Sequence, residues 1–274
     1  MKYSDNTIPN FSDSFDELEK PEFLNGMEVC NFPKKYKHLS SNSALEVYRR
    51  VQSLYDSICS GRFNLCNACK LEFPEYLDAT NTEEAHIWIR TQFTNNAILW
   101  YNATFDLLLQ VVWFYYELYK KLKKPMDLST PNIEDIMRKC TLENIKANIS
   151  KNVGIVDAEL LNNIEELHNK FHAPIAKLAN TIKHRCSIVY ADMNYHNTIT
   201  LQVYHRNAGE NILEAFKRGI KPLYNSTETT KQVHLSDVIN CLISYHKALV
   251  KCSKDMVITM FPDKFEESED IIKE

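Results

Sequence analysis

Residues 157–185 read DAELLNNIEELHNKFHAPIAKLANTIKHR. Leu160, Ile164, Leu167, Phe171, Ile175, Leu178 and Ile182 recur three or four positions apart, the repeat of one helical face. At helical geometry they form a stripe about 80° wide, with acids, amides and lysines around the rest. A helix with one apolar stripe must bury it against another element, so this segment sets an all-α expectation. Asp157 is placed to cap the helix, and Pro174 is expected to kink it without ending it.

The chain around this segment points the same way. Among 274 residues there are 5 glycines and 9 prolines, well below the usual glycine share of about 7%. The glycines (26, 61, 154, 209 and 219) are widely spaced, which excludes the clustered glycines of a phosphate-cradling loop. Few glycines also disfavour turn-rich sandwiches and barrels. No Gly or Pro lies between Pro74 and Pro125, so a long helix, or two parted near Asn95–Asn96, is predicted there. It starts near Thr82 with Glu83 and Glu84 and ends in the cationic turn Lys120–Lys124. Further helices are expected over Ala44–Cys59, ended by Gly61, from Pro131 to about Ile149, around 210–218, and from about Ser236 to Met260.

Residues 1–40 read as an extended arm, 41–262 as a single helical domain and 263–274 as an acidic tail. The stretch 186–206, with β-branched and aromatic runs about the polar ADMNYHN, predicts a small β-hairpin insertion. The whole is an antiparallel helical bundle. Net charge is −4, but the tail carries all of it, so the body is balanced and free to present a local basic patch. Eight cysteines in a chain with a polar start suggest free thiols in a reducing, cytoplasmic setting. Cys66 and Cys69 form a lone CxxC with no second pair at zinc spacing. Asn102, Asp106 and Gln110 within the apolar run 97–116 disfavour a membrane span.

Four constellations could carry chemistry. Asn95, Asn102, Asp106, Gln110 and Glu117 line one edge of the long apolar helix, as a solvent edge or a polar groove. Lys177, Asn180 and His184 share the face opposite the stripe quoted above, beside Lys183 and Arg185 and with the small Ala173 and Ala176. Such an imidazole can move a proton to or from a ribose hydroxyl near neutral pH, while a cation steadies the phosphorane-like transition state, without metal. Glu83 with His86 and Glu165 with His168 have the Glu-x-x-His spacing of di-metal carboxylate bundles. Tyr190, Tyr195, His196, Tyr204, His205 and Arg206 of the hairpin are of the type that stacks on single-stranded RNA.

A late helix ending in Asn180-x-x-Lys183-His184-Arg185, with YNATFD (101–106) on a long aromatic helix, resembles the HEPN superfamily. The resemblance covers about 80–260, and its specific part is some ten residues. It implies an all-α domain of the kind found in toxins and phage-defence proteins, acting as a cofactor-free, metal-independent endoribonuclease with its motif paired across a homodimer. His184 matches the family His and Asn180 the polar residue. The family Arg is absent: Ala179, Leu178 or Lys177 stands there, depending on the gap. Either Lys177 or Arg185 supplies the cation, or this copy does not cut RNA. The expected partners are RNA or a nucleotide, a second copy, and an antitoxin or defence protein, with no membrane. A non-catalytic HEPN-like scaffold and a di-metal bundle are the alternatives, and Lys183, Asp106, Asn102, Tyr190, His205 and Arg206 are the accessory binding candidates.

Overall fold

The computed structural model describes residues 18–24, 40–71, 73, 83–128, 133–149, 155–185, 188, 190–192 and 233–261. Helices take 82% of the described residues and none is in a strand, so the fold class is all-α. In order, α1 is Ser41–Ala68, α2 Glu83–Tyr115, α3 Ile133–Arg138, α4 Leu142–Ile149, α5 Ile155–Leu167, α6 Ala173–Arg185 and α7 Leu235–Met260. Short 3-10 turns lie at Glu22–Leu24 and Leu118–Lys121, and a π-turn at His168–His172 joins α5 to α6. The short helix expected near 210–218 and the arc of the hairpin after Asp192 lie outside the described residues. So do the arm apart from 18–24 and 40, and the acidic tail.

α1 and α2 form an antiparallel pair. Their register is set by Ser43 against Glu117 and Tyr119, by Ser57 Oγ on Thr104 Oγ1 (2.7 Å), and by Arg90 Nε donating to the Ala68 carbonyl (2.9 Å). α1 runs straight through Gly61 to Ala68, nine residues beyond the expected stop. The reason is steric: the Tyr101 ring lies where a Cβ on Gly61 would go, 2.6–2.9 Å from that position. Here glycine admits a partner helix; it does not end its own.

The long apolar segment is one 33-residue helix without a break at Asn95–Asn96. Trp113, Phe114, Tyr101 and Leu108 on it are wholly buried, each contributing about 1.5–3 kcal/mol by removal from water. By length and mean hydropathy (1.3) α2 is apolar enough to cross a membrane, yet 61% of that window is buried against the bundle. It ends before the lysines that were expected to form its last turn. Glu117 adopts left-handed φ 48°, ψ 39° and turns the chain, leaving Lys120 and Lys121 in the 3-10 turn. That conformation costs a non-glycine residue about 1–2 kcal/mol. The Glu117 carboxylate offsets it by accepting from Ser40 N, Ser40 Oγ, Ser43 Oγ and Lys120 Nζ.

The segment 131–149 divides into α3 and α4, with Thr141 Oγ1 accepting from Asn144 N to start the second. α5 begins at Ile155, so Asp157 lies inside the first turn and not at the cap position expected for it. The quoted stripe is buried as far as Leu167, and then the π-turn intervenes. Proline at 174 has no N–H to return to Lys170, and the Ala173 N–H bonds the His168 carbonyl, five residues back. The extra residue rotates the face: His172, Ile175 and Ala179 are buried beyond the turn, whereas Phe171, Leu178 and Ile182 are only half-buried.

α7 lies parallel to α2, with Tyr115 Oη donating to the Met260 carbonyl (2.7 Å), and packs also on α5. Its start is tied to residues 190–192. Tyr190 and Val233 form a parallel bridge, Ala191 N donates to Val233 O, and Asp192 Oδ2 accepts from Leu235 N (2.6 Å).

Candidate functional site

α6 packs its Ile175–Ala179 side on α2 and presents Lys177, Asn180, Lys183 and His184 to solvent. Lys177, Asn180 and His184 stand three and four residues apart, so they share one face. Among the described residues His184 has no hydrogen-bond or ion-pair partner. The Thr181 hydroxyl beside this face is turned back, donating to the Lys177 carbonyl (3.1 Å). The Arg185 side chain, His205 and Arg206 lie outside the described residues.

Across from α6, the polar edge of α2 is for the most part half-buried, and Gln110 Oε1 on it is buried. Asn102 is half-buried and Asp106 exposed, while Asn95 Oδ1 accepts from Tyr190 Oη (2.8 Å). Although Asp106 reaches solvent, burial of part of its side chain pushes the carboxyl above the ordinary carboxylate value. Lys183 draws it back. Lys183 and Asp106 therefore face one another electrostatically across the α2–α6 contact. Tyr190 is 1% exposed, so its ring serves packing, and its hydroxyl donates to Asn95.

Beneath this face lies a buried aromatic and histidine cluster that residue spacing did not reveal. His172 stacks on Phe105, centroids 4.1 Å apart and planes 18° apart, and its Nδ1–H donates to Tyr245 Oη (3.4 Å), whose own proton goes to a carbonyl. The Tyr245 hydroxyl also reaches the Tyr101 carbonyl (3.3 Å). His246 Nε2 must donate, because its partner is the Glu19 carbonyl (2.9 Å), so in the neutral ring Nδ1 accepts from Tyr101 Oη (2.9 Å). Burial holds both imidazoles down at about 4; His168 adds to this at His172. At His246 the Glu19 bond opposes it, and Arg62 and Lys247 reinforce it. Both rings are neutral structural groups at pH 7. The one sequence signal for the cluster was Pro174, whose missing N–H forces the turn that buries His172.

The Glu-x-x-His pairs are occupied otherwise. Glu165 is ion-paired with Lys146, His168 Nδ1 lies 3.0 Å from Asn169 Oδ1, and His86 Nδ1 accepts from Phe73 N (3.2 Å). The Glu83 side chain lies outside the described residues. Among those residues no three His, Cys, Asp or Glu groups are gathered to hold a metal. Cys66 and Cys69 are both buried at the carboxyl end of α1. Burial raises both thiols, Cys69 to about 12 with the help of Cys66. Arg62 and Lys70 at Cys66 and Arg90 at Cys69 pull the other way without offsetting burial, and the pair lies at a helix carboxyl end, whereas a helix amino terminus stabilises thiolate.

No family model, curated protein or solved structure matches this chain. The site is therefore read from its own residues.

Proposed function

We propose that the chain is an RNA-directed, HEPN-like helical protein whose α6 face contacts the phosphodiester backbone. The observation carrying this reading is the joint exposure of Lys177, Asn180 and His184 on one helical face, with Lys183 at its edge. Lys177 places a cation against a phosphate oxygen, Asn180 supplies an amide donor to orient it, and His184 is free to accept a ribose 2′-hydroxyl proton or return one to the leaving oxygen. No cofactor or metal enters this chemistry. Arg185 is the second cation candidate. His205 and Arg206 of the expected hairpin over about 186–206 are accessory binding candidates in this reading, and Asn102 and Asp106 border the α6 face.

A face on a convex helix does not enclose a phosphate, so cleavage in this reading needs a second copy to close the site, hence a homodimer. The setting is cytoplasmic, with an antitoxin or phage-defence protein as partner. A second reading, binding without cleavage, is favoured by two observations: no Arg stands at positions 177–179, and no described residue orients the His184 ring. Lysine lacks the planar fork that grips a phosphate in two places.

The test is RNA cleavage in EDTA by the unmodified chain and by His184→Ala, with folding checked by circular dichroism. The nuclease reading expects cleavage that the substitution abolishes. Equal cutting by both proteins removes His184 from the chemistry. RNA binding without cutting by either selects the second reading.

A further inference from the structure

Residues Leu18–Leu24 are held on the bundle in a way that separates them from it. Leu18 is 2% exposed and Leu24 fully buried, Pro21 between them is buried, and Glu19, Lys20 and Glu22 face solvent. The buried positions are thus 18, 21 and 24, the three-residue repeat of the turn Glu22–Leu24. The segment makes its own local bonds, Glu22 N to Lys20 O and Leu24 N to Pro21 O, both 2.9 Å. Two buried side chains of the bundle reach it, and both grip backbone: Arg62 Nε on the Leu18 carbonyl (2.6 Å) and His246 Nε2 on the Glu19 carbonyl (2.9 Å).

Three apolar sockets and two adjacent donors aimed at consecutive carbonyls are the elements of a peptide site. The sockets read side chains and the donors read only main chain. Both donors belong to the bundle. His246 has its Nδ1 taken up by Tyr101 Oη, whose ring occupies the room left at Gly61, so Nε2 is the nitrogen turned to the segment. Arg62 comes from α1, one residue beyond Gly61, and His246 from α7, so the site spans two helices that meet α2.

We propose that this is a peptide-binding groove filled in cis by residues 18–24, and that its ligand in trans is a partner-protein segment of the pattern Leu-x-x-Pro-x-x-Leu. Of the x positions Glu19, Lys20 and Glu22 face solvent and Phe23 is half-buried against the core, so the groove selects first on the two leucines and the proline and favours an aromatic ring before the last leucine. The resident segment competes for the groove, and a partner enters when it leaves.

The experiment uses the full chain with Leu18→Glu and Leu24→Glu, which drives the resident segment from its sockets. A fluorescent peptide of residues 15–26, FDELEKPEFLNG, is titrated by anisotropy. The proposal expects saturable binding at least tenfold tighter than to the unmodified chain, and none by a peptide with both leucines replaced by serine. Absence of saturable binding to the folded variant overturns it, as does equal binding to both chains. Should the variant lose its helical circular dichroism, hydrogen exchange of the unmodified chain decides. The Glu22 and Leu24 amides are expected to exchange at least tenfold faster than those of α7 around His246. Exchange of both sets at one rate, only on global unfolding, makes residues 18–24 an inseparable part of the core and ends the proposal.

Discussion

Gly61 shows how one residue can set a helix pair. Glycine within a helix costs about 1 kcal/mol relative to alanine, so propensity alone predicts that Gly61→Ala stabilises α1. The Tyr101 ring, pinned by His246 and within 3 Å of the new methyl, leaves no space for it. Overpacking of this kind costs about 1–3 kcal/mol, and we expect Gly61→Ala to lower the urea midpoint. A rise would show that the two helices part at no cost. Tyr101→Phe keeps the ring and leaves His246 Nδ1 without its donor, a buried unmade bond worth about 1–3 kcal/mol. Glu117 acts at the other end of the pair. Partial burial pushes its carboxyl up, but hydrogen bonds from Lys120, Ser43 and Ser40 outweigh this and hold it at about 2, against an ordinary 4.5. A depressed carboxyl contributes stability that is complete above the unfolded value and lost as pH falls through 4.5 towards 2. Glu117→Gln should therefore cost about 1–2 kcal/mol at pH 7, after solvent screening, and little near pH 2, read from urea midpoints at both.

The π-turn between α5 and α6 is the element that departs furthest from its sequence pattern, and by burying His172 it adds a loss of stability on acidification of the same sign as that of Glu117, in a higher pH window. His172 and His246 are held at about 4 in the folded chain, against an ordinary 6.5. As pH falls the unfolded chain takes up protons first, so stability is whole above 6.5, erodes between 6.5 and 4, and changes no further below that on their account. Each ring can contribute up to about 3 kcal/mol to that loss. His172→Leu should flatten the slope of stability against pH across this window, and an unchanged slope would contradict the burial of that imidazole. The periodicity of Leu160, Ile164 and Leu167 was a sound guide to the buried face because nothing disturbs α5. It failed at Phe171, where backbone chemistry at Pro174 inserts a residue that a fixed 100° step does not count. Legibility of helix ends did not follow the range of the cap: the sequence pattern runs one helix through 131–149 although Thr141 caps α4 from the adjacent position, whereas α7, expected from about Ser236, starts at Leu235 although Asp192, on its first amide, is 43 residues away. Exposure of Lys177, Asn180 and His184 could be read directly, since each lies opposite the stripe by a margin that a one-residue shift does not erase.

For the whole molecule, a formal charge of −4 concentrated in the acidic tail leaves the bundle free to carry a local cationic face on α6. The phosphate contacts proposed there would be salt-dependent, because each neutralised phosphate releases a counterion. Lys177→Ala should weaken RNA binding across sequences and reduce the slope of log affinity against log salt by about 1. Fluorescence anisotropy at several salt concentrations reads both effects. The most direct test of the α6 face is amide chemical-shift mapping of the full chain titrated with a short single-stranded RNA in EDTA. The account predicts that the largest shifts fall on Lys177–His184 and vanish when Lys177 and His184 are both replaced by alanine. Shifts absent from α6, or centred on α1 at the far side of the bundle, would contradict it.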